Sequence, residues 1–464
     1  MTAAMAPDVV VVGAGFAGLS AAALLSEAGR RVLVLDARPQ LGGRATAFID
    51  RHTGELVDNG QHVLFGCYHE TLDFLRRVGA EDNVLVQSSM TIPYLDARGR
   101  RSELRCPRLP PPLHLLAAVL DWDALKLRDR LSVLKMARPI LAARKAIARD
   151  RSATLTASEL TVSRWLEQAG QNERLREWLW DPLAVAALNQ SPDEAAAASF
   201  VRVLALLFGP EASDAALVLP TRPLHLAYAE PARTAITRRG GEVRTGALAR
   251  VAVGTSGKLQ VDVRGERVAV APVISAVPWF ALGALFGPVT PEPLGAVIAN
   301  ASAMESKPIV TVNLWYDMVV MDEPFVGLPG RTMQWVFDKR AIVRGEGSEA
   351  GGRSGRTSHL SLVSSGADRI VQQPDAALIA MAAEEIQDAL PGARRARLTH
   401  ATVIREKRAT FSLAPGQPAR PGTRTPVSGL YLAGDWIETW LPGTIESAVI
   451  SGHRAARALL EDYP

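Results

Sequence analysis

The chain has 464 residues, enough for two or three domains and a large buried core. Its 48% hydrophobic and 22% charged residues are ordinary for a globular enzyme, and no basic block or aromatic-interleaved stripe points to nucleic acid. The net charge of +4 and isoelectric point near 9.2 lean basic, which favours an anionic membrane surface as partner, while two cysteines, Cys67 and Cys106, exclude a disulfide framework and a structural zinc set.

The first strand is a charge-free β-branched run, Val9 to Val12, of the kind buried on both faces of a parallel sheet. It starts around residue 8, leaving no room for a signal peptide, so a cytoplasmic location is expected. Gly13, Gly15 and Gly18 follow as G-x-G-x-x-G where the strand ends and a helix begins, with Phe16 and Ala17 in the first turn. The first glycine permits the tight turn, the second admits a pyrophosphate to the backbone, and the third lets helix pack on strand. The helix, about Ala17 to Ala28, turns its free N–H groups and positive dipole end toward the phosphates. Gly29 ends it, Arg31 to Leu35 form the second strand, and Asp36 closes that strand. A carboxylate there accepts hydrogen bonds from an adenosine ribose and disfavours a 2′-phosphate. Strand, turn, helix, strand and acid at this spacing predict a bound dinucleotide.

Arg38, Gly42, Gly43 and Arg44 continue the unit as R-x-x-x-G-G-R, which resembles the amine oxidase and phytoene desaturase superfamily of flavoproteins. The resemblance implies FAD, with a second glycine pair approaching the pyrophosphate from the other side and an arginine adding charge. It implies an α/β protein: a Rossmann-like FAD-binding domain of the GR2 type with an interleaved α+β substrate domain. Cofactor contacts are then expected from Gly13, Gly15, Phe16, Ala17, Gly18, Asp36, Ala37, Arg38, Gly42, Gly43 and Arg44.

A hairpin is expected from Ala45 to Leu56, turning at Thr53-Gly54, and the string Val57 to Thr71 follows. Gly60 suits close approach of backbone to a flat ring, and Gln61 and His62 are polar groups able to reach it. His62 also reads as a hydrogen-bonded structural histidine; His62, Cys67 and His69 without further ligands do not make a metal site, and no metal is expected. The segment DNGQHVLFGCYHET resembles the squalene-associated flavoproteins of hopanoid clusters, the hydroxysqualene dehydroxylases, a likeness running over essentially the whole chain.

Glu70 to Gly79 has helical spacing, and from Pro93 two short strands lead into a helix-rich region ending near Gly209. Within it Leu127, Leu131, Leu134 and Leu141 recur at helical spacing among Lys126, Arg128, Arg130, Lys135, Arg138, Arg144 and Lys145. Such a helix can lie in a bilayer interface or pack on its own domain with a solvated basic face. Pro220 returns the chain to the cofactor domain, with a helix over Tyr228 to Arg239 and a strand after Gly240-Gly241. By the resemblance, Leu248 places backbone against the adenine. The charge-free Val268 to Gly287 is interrupted by Pro272 and Pro278 and reads as strand, turn and helix, not as a membrane span. Beyond Pro291, strands are expected at Ile309 to Leu314, Met333 to Phe337 and Leu360 to Ser364, a mobile loop over Arg344 to Thr357, and an amphipathic helix over Ala376 to Leu390. The expected division is 1–92, 219–290 and 425–464 for the cofactor, and 93–218 and 291–424 for the substrate.

Near the C-terminus a strand delivers Gly434 and Asp435, and a helix begins around Gly443, Thr444 and Ile445. Asp435 can bond ribityl hydroxyls or bridge to phosphate through other donors, and N–H groups at the helix start can face the flavin C2 carbonyl and N1 edge. L-A-G-D followed by G-x-x-E-S-A-x-x-S-G again resembles the superfamily, from which Trp440 departs where small residues are commoner.

The resemblance implies a long isoprenoid substrate, hydroxysqualene, whose hydroxyl is replaced by hydride to give squalene. Such chemistry needs a general acid in a dry cavity. His62 is the leading candidate, with Asp58 and Glu438 behind it. Recharging the flavin calls for an external donor, a nicotinamide dinucleotide such as NADPH or a partner flavoprotein; no second nucleotide motif is visible. Two other readings fit the same scaffold: a carotenoid-type desaturase, and a flavin-free isoprenoid carrier.

Overall fold

A computed structural model describes residues 6–111, 113–150, 159–254, 256–288, 290–343 and 357–464. The loop expected over Arg344 to Thr357 lies outside the described residues, apart from Thr357 itself.

The run Val9–Val12 is the middle strand of a five-stranded parallel sheet, and all four of its residues are buried. Across the sheet the order is Glu242–Arg244, Val32–Leu35, Val9–Val12, Val273–Ser275 and Leu430–Leu432. Only apolar side chains suit both faces of the inner strands, which is why Val9–Val12 and Val32–Leu35 read as continuous aliphatic runs, while the edge strand Glu242–Arg244 carries exposed charges. The helix Phe16–Glu27 is apolar nearly all round because it lies between this sheet and the C-terminal helix Ile445–Asp462. The two helices touch at Gly452, where a Cβ would stand 2.2 Å from the Ala17 carbonyl oxygen. First and last helices of the chain therefore form one layer.

The second sheet has seven strands, in the order Leu398–Phe411, Ser306–Tyr316, Ser358–Ser365, Trp335–Asp338, Phe325–Gly327, Thr91–Leu95 and Arg101–Arg105. Its pairings are antiparallel except where Gly327 meets Tyr94. Strand alternation sends Val336 and Leu362 to one face, under the helix Asp375–Ala389. It sends Phe325, Phe337 and Val363 to the other, toward the helices between Leu113 and Leu207. The stretch 268–287 forms the end of a strand, Val273–Ser275, a 3-10 turn Trp279–Ala281 and the helix Leu282–Leu285. No helix among the described residues is long and apolar enough to cross a membrane.

The basic helix departs from its expected form. It is broken into Leu127–Ser132, a 3-10 turn Val133–Met136 and Ala137–Arg149. Val133, Met136, Ile140 and Ala143 face the core, while Leu127, Leu131, Leu134 and Leu141 are 69, 49, 46 and 47% exposed. Two apolar stripes compete for the interior, and the tighter 3-10 turn rotates the leucine stripe out to solvent. The helix expected to begin at Tyr228 starts earlier, with a π-turn His225–Ala229 before Glu230–Arg238.

Candidate functional site

The site is built where the ends of the parallel strands meet the second sheet. Gly13 has φ +109, and a Cβ on it would lie 2.8 Å from the Ala276 carbonyl oxygen. At Gly18 a Cβ would fall 1.8 Å from the Gly13 carbonyl oxygen, so that helix can meet strand only at glycine. Gly15 is different: nothing lies nearer than 3.8 Å, and its closest neighbour is the Cα of Gly43. Two bare backbones thus face each other, a cradle for a group that needs close main-chain approach. The Gly42 N–H donates to the Ala14 carbonyl at 2.9 Å and the Tyr228 hydroxyl donates to the Gly42 carbonyl at 2.8 Å, fixing the second loop. Phe16 is buried and stacks on the Tyr228 ring, and Ala17 is buried beside it.

Asp36 is buried and accepts from the N–H groups of Ala14, at 2.7 Å, and Arg38, at 2.8 Å, with exposed Ala37 between. Its carboxylate keeps lone pairs for a ribose. The Arg38 guanidinium donates to the Gly43 carbonyl at 2.8 Å. Leu248 is exposed, and the residue before it, Ala247, donates to the Asp36 carbonyl at 2.7 Å, which lays this segment beside Asp36.

Arg44 ties the two halves of the chain together. It donates to the Asp435 carboxylate and to the Ala409 carbonyl, and its guanidinium lies 5.2 Å from the Trp279 ring centroid. Gly434 has φ +143, and a Cβ on Gly443 would sit 3.2 Å from Asp435 Oδ2. Thr444 caps the C-terminal helix, accepting from the Ser447 N–H at 3.1 Å, and Ile445 packs into the core beneath it. Tyr68 lies by Thr444 in the same pocket wall, and burial pushes its phenol well above its ordinary pKa. Glu446, next along, accepts from the N–H groups of Glu70 and Thr71 and from the Thr71 hydroxyl, which anchors the 57–71 segment to this helix.

Beyond Tyr68 opens an apolar cavity of about 1340 Å³, its mouth included, between the seven-stranded sheet and the helices. Leu115, Val119, Leu183, Phe325, Trp335 and Phe337 are among its walls, and Gln61 and Tyr68 are among the few polar side chains that line it. Gly60 carries nothing but backbone toward Thr311, whose buried Oγ1 has no partner and lies 3.5 Å from where a Cβ on Gly60 would sit.

The family model described as flavin containing amine oxidoreductase matches residues 16–460. The chain belongs to this family. It is 30% identical to the hydroxysqualene dehydroxylase of Sinorhizobium fredii, over 99% of both chains. It is 24% identical to the 15-cis-phytoene desaturase of an Oncidium hybrid cultivar, over 98% of this chain and 78% of that one. In fold it is similar to an oxidoreductase from Methanosarcina mazei, with a TM-score of 0.72 at 20% identity over 97% and 99% of the two chains. A cyclohexylamine oxidase from Brevibacterium oxydans gives 0.69 at 16% identity over 99% of each.

The acid candidates of this flavin amine oxidoreductase do not gather as a set. His62 is half-buried and does not itself line the cavity, as its neighbours Gln61 and Val63 do; its Nδ1 lies 3.0 Å from the Gly60 carbonyl, an arrangement that puts the proton on Nδ1. Burial lowers its pKa, which keeps the ring neutral and leaves Nε2 an acceptor. Asp58 is already engaged by Lys339 Nζ at 2.7 Å and the Leu224 N–H at 2.9 Å. Glu438 lies outside the cavity lining, held by Arg420 at 2.7 Å and by the Trp440 N–H. Trp440 itself takes φ +65, and the Arg454 guanidinium lies 4.5 Å from its ring centroid.

Sequence reading missed Lys339 and Tyr68. The signal for Lys339 was partial: Trp335 and Phe337 alternate toward the cavity along the strand Trp335–Asp338, and Lys339 follows at the start of the short helix Lys339–Ile342.

Proposed function

We propose that this protein is an FAD-dependent hydroxysqualene dehydroxylase, replacing the allylic hydroxyl of a C30 isoprenoid by hydrogen to give squalene. The observation that carries the reading is the long apolar cavity ending on Gln61, Tyr68 and the His62 segment, beside the helix start expected to face the flavin. FAD would be held by Gly13, Gly15, Gly18, Asp36, Arg38, Gly42, Gly43, Arg44, Asp435, Gly443 and Thr444, the residues that form the bare cradle and the charged bridge across it. It supplies the two-electron redox chemistry. The protein binds and orients the substrate, excludes water from the site of C–O cleavage, and provides the proton with which the hydroxyl leaves. His62 is the proposed acid. Burial, with the Lys339 and Arg44 charges, keeps it neutral at rest against the opposing Gly60 hydrogen bond and Asp58 charge, so it takes up a proton at Nε2 before giving it up.

The segments 1–92, 219–290 and 425–464 form the cofactor domain in this reading, and 93–218 with 291–424 the substrate domain. Some thirty carbons at ~0.8 kcal/mol each make transfer of the substrate through water cost more than about 20 kcal/mol. The substrate therefore arrives from a bilayer or from the preceding enzyme. The exposed leucines of 127–141, set among basic side chains, are the proposed contact with an anionic membrane at its cytoplasmic face. An external reductant, NADPH or a flavoprotein, completes the cycle.

Anaerobic incubation of dithionite-reduced holoenzyme with hydroxysqualene, followed by product analysis, tests the reading: squalene is expected. Turnover of phytoene by the oxidised enzyme, with none of the alcohol, would replace it by the desaturase reading. A purified protein that is colourless and takes up no FAD would favour the carrier.

A further inference from the structure

Lys339 is buried to 8% exposure, and its ammonium donates to Asp58 Oδ2 and to Gln61 Oε1, both at 2.7 Å. Burying an ion pair is a poor stability device, since apolar residues of similar volume commonly do as well or better. Its effect here is directional. An ammonium has donors only, so the Gln61 amide must present its oxygen to Lys339 and cannot take the flipped orientation. The amide nitrogen is left as a donor. One of its N–H groups lies 3.1 Å from the His62 carbonyl, and the other is available where Gln61 lines the cavity. Asp58 holds the ammonium in turn, itself fixed by the Leu224 N–H. The arrangement spans the molecule: Asp58 and Gln61 precede the first half of the substrate region, while Lys339 opens the short helix Lys339–Ile342 that follows the strand Trp335–Asp338 of the seven-stranded sheet.

An unpaired amide N–H facing an apolar cavity is costly unless a ligand accepts from it. We propose that Gln61 is the hydroxyl-recognising residue of the cavity, donating a hydrogen bond to an alcohol oxygen at its flavin end, and that Lys339 is the positioning residue that fixes this polarity. The proposal rests on the dehydroxylase reading for its natural substrate, but the donor itself exists whatever reaction follows. A site of this kind separates an alcohol from the corresponding hydrocarbon, because the hydrocarbon leaves the amide unpaired.

The test uses holoenzyme and a probe pair, farnesol and farnesene, with binding read from the fluorescence of the cavity tryptophans Trp180 and Trp335 and from flavin absorbance. Gln61→Met, which keeps the length and removes the donor, should weaken farnesol about tenfold while leaving farnesene within about twofold. Lys339→Met should do the same by freeing the amide to flip, and Lys339→Arg, again a donor only, should restore the alcohol preference. If Lys339→Met fails to fold because Asp58 is stranded, Asp58→Asn/Lys339→Met removes both charges and should show the same selective loss. Equal weakening of both ligands by Gln61→Met, or unchanged farnesol binding in the Lys339 variants, would overturn the proposal. Failure of hydroxysqualene turnover with the farnesol effect intact would sink the dehydroxylase reading and leave the donor standing. Turnover with farnesol affinity unchanged in Gln61→Met would do the reverse.

Discussion

At the scale of single residues, the glycines of one motif have separate duties that two substitutions can tell apart. A methyl at Gly18 meets the Gly13 carbonyl at 1.8 Å, so Gly18→Ala must move helix away from strand. Overpacking of this kind costs about 1–3 kcal/mol or more, and the apoprotein Tm should fall accordingly. A methyl at Gly15 has 3.8 Å of room, so Gly15→Ala should leave the apoprotein Tm close to that of the parent while the purified protein loses its yellow colour. Loss of both properties in both variants would refute the division. His62 carries a second prediction. As the proposed acid it must be protonated to act, and burial depresses its pKa, so kcat should fall as pH rises through a value below about 6.5. His62→Gln should lower kcat by roughly 10²–10⁴-fold and abolish that limb of the profile. A pH profile identical in the variant would hand the role to another group.

At the scale of elements, the segment 127–149 shows how little a periodic stripe says about which way it faces. Both stripes have helical spacing, but only Val133, Met136, Ile140 and Ala143 reach the core. The leucines left outside, with exposed Leu109 and Leu113 earlier in the chain, give this helical region several large apolar side chains in solvent. Burying a leucine side chain in an apolar phase is worth about 1.5–3 kcal/mol. Leu127→Ser/Leu131→Ser should therefore weaken co-flotation with anionic vesicles by at least about tenfold. Thermal stability should not change, because neither side chain supports the fold. Equal flotation of parent and variant would remove the membrane from the proposed function. The C-terminal helix illustrates the opposite case. Its acid at Glu446 holds Glu70 and Thr71 while its glycine at Gly452 lies against Ala17, two separate parts of the first hundred residues, so the helix closes the fold.

For the whole molecule, burial sets an acid limit on stability. His62, His114, His225, His359 and His453 all have pKa values lowered in the fold, chiefly by burial. Below about pH 6.5 the unfolded chain takes up protons on these residues that the folded chain refuses. Stability is then complete above that pH and declines as pH falls through the unfolded-state value toward the lowered folded ones. The Tm should fall steadily between pH 7 and pH 5; a flat curve over that window would contradict the assignment. Added FAD should raise Tm in proportion to the logarithm of its concentration, since the cradle spans both ends of the chain and exists only when they are joined.

What the amino-acid sequence determined by itself was everything governed by local geometry and period. The aliphatic runs of the parallel sheet, the glycines whose conformation or spacing no other residue tolerates, and Asp36 closing the second strand were legible because neighbours along the chain dictate them. The pairing of Arg44 with Asp435 was anticipated only as a common cofactor, because a contact across 391 positions leaves no local trace. Only the tertiary structure decided which stripe of the basic helix turned inward, that Asp58 and Glu438 were already committed to Lys339 and Arg420, and that Gln61 faces an apolar cavity with its polarity set. Each of these depends on which side chain reaches a partner first in a crowded interior, a competition between distant segments that composition and spacing do not record.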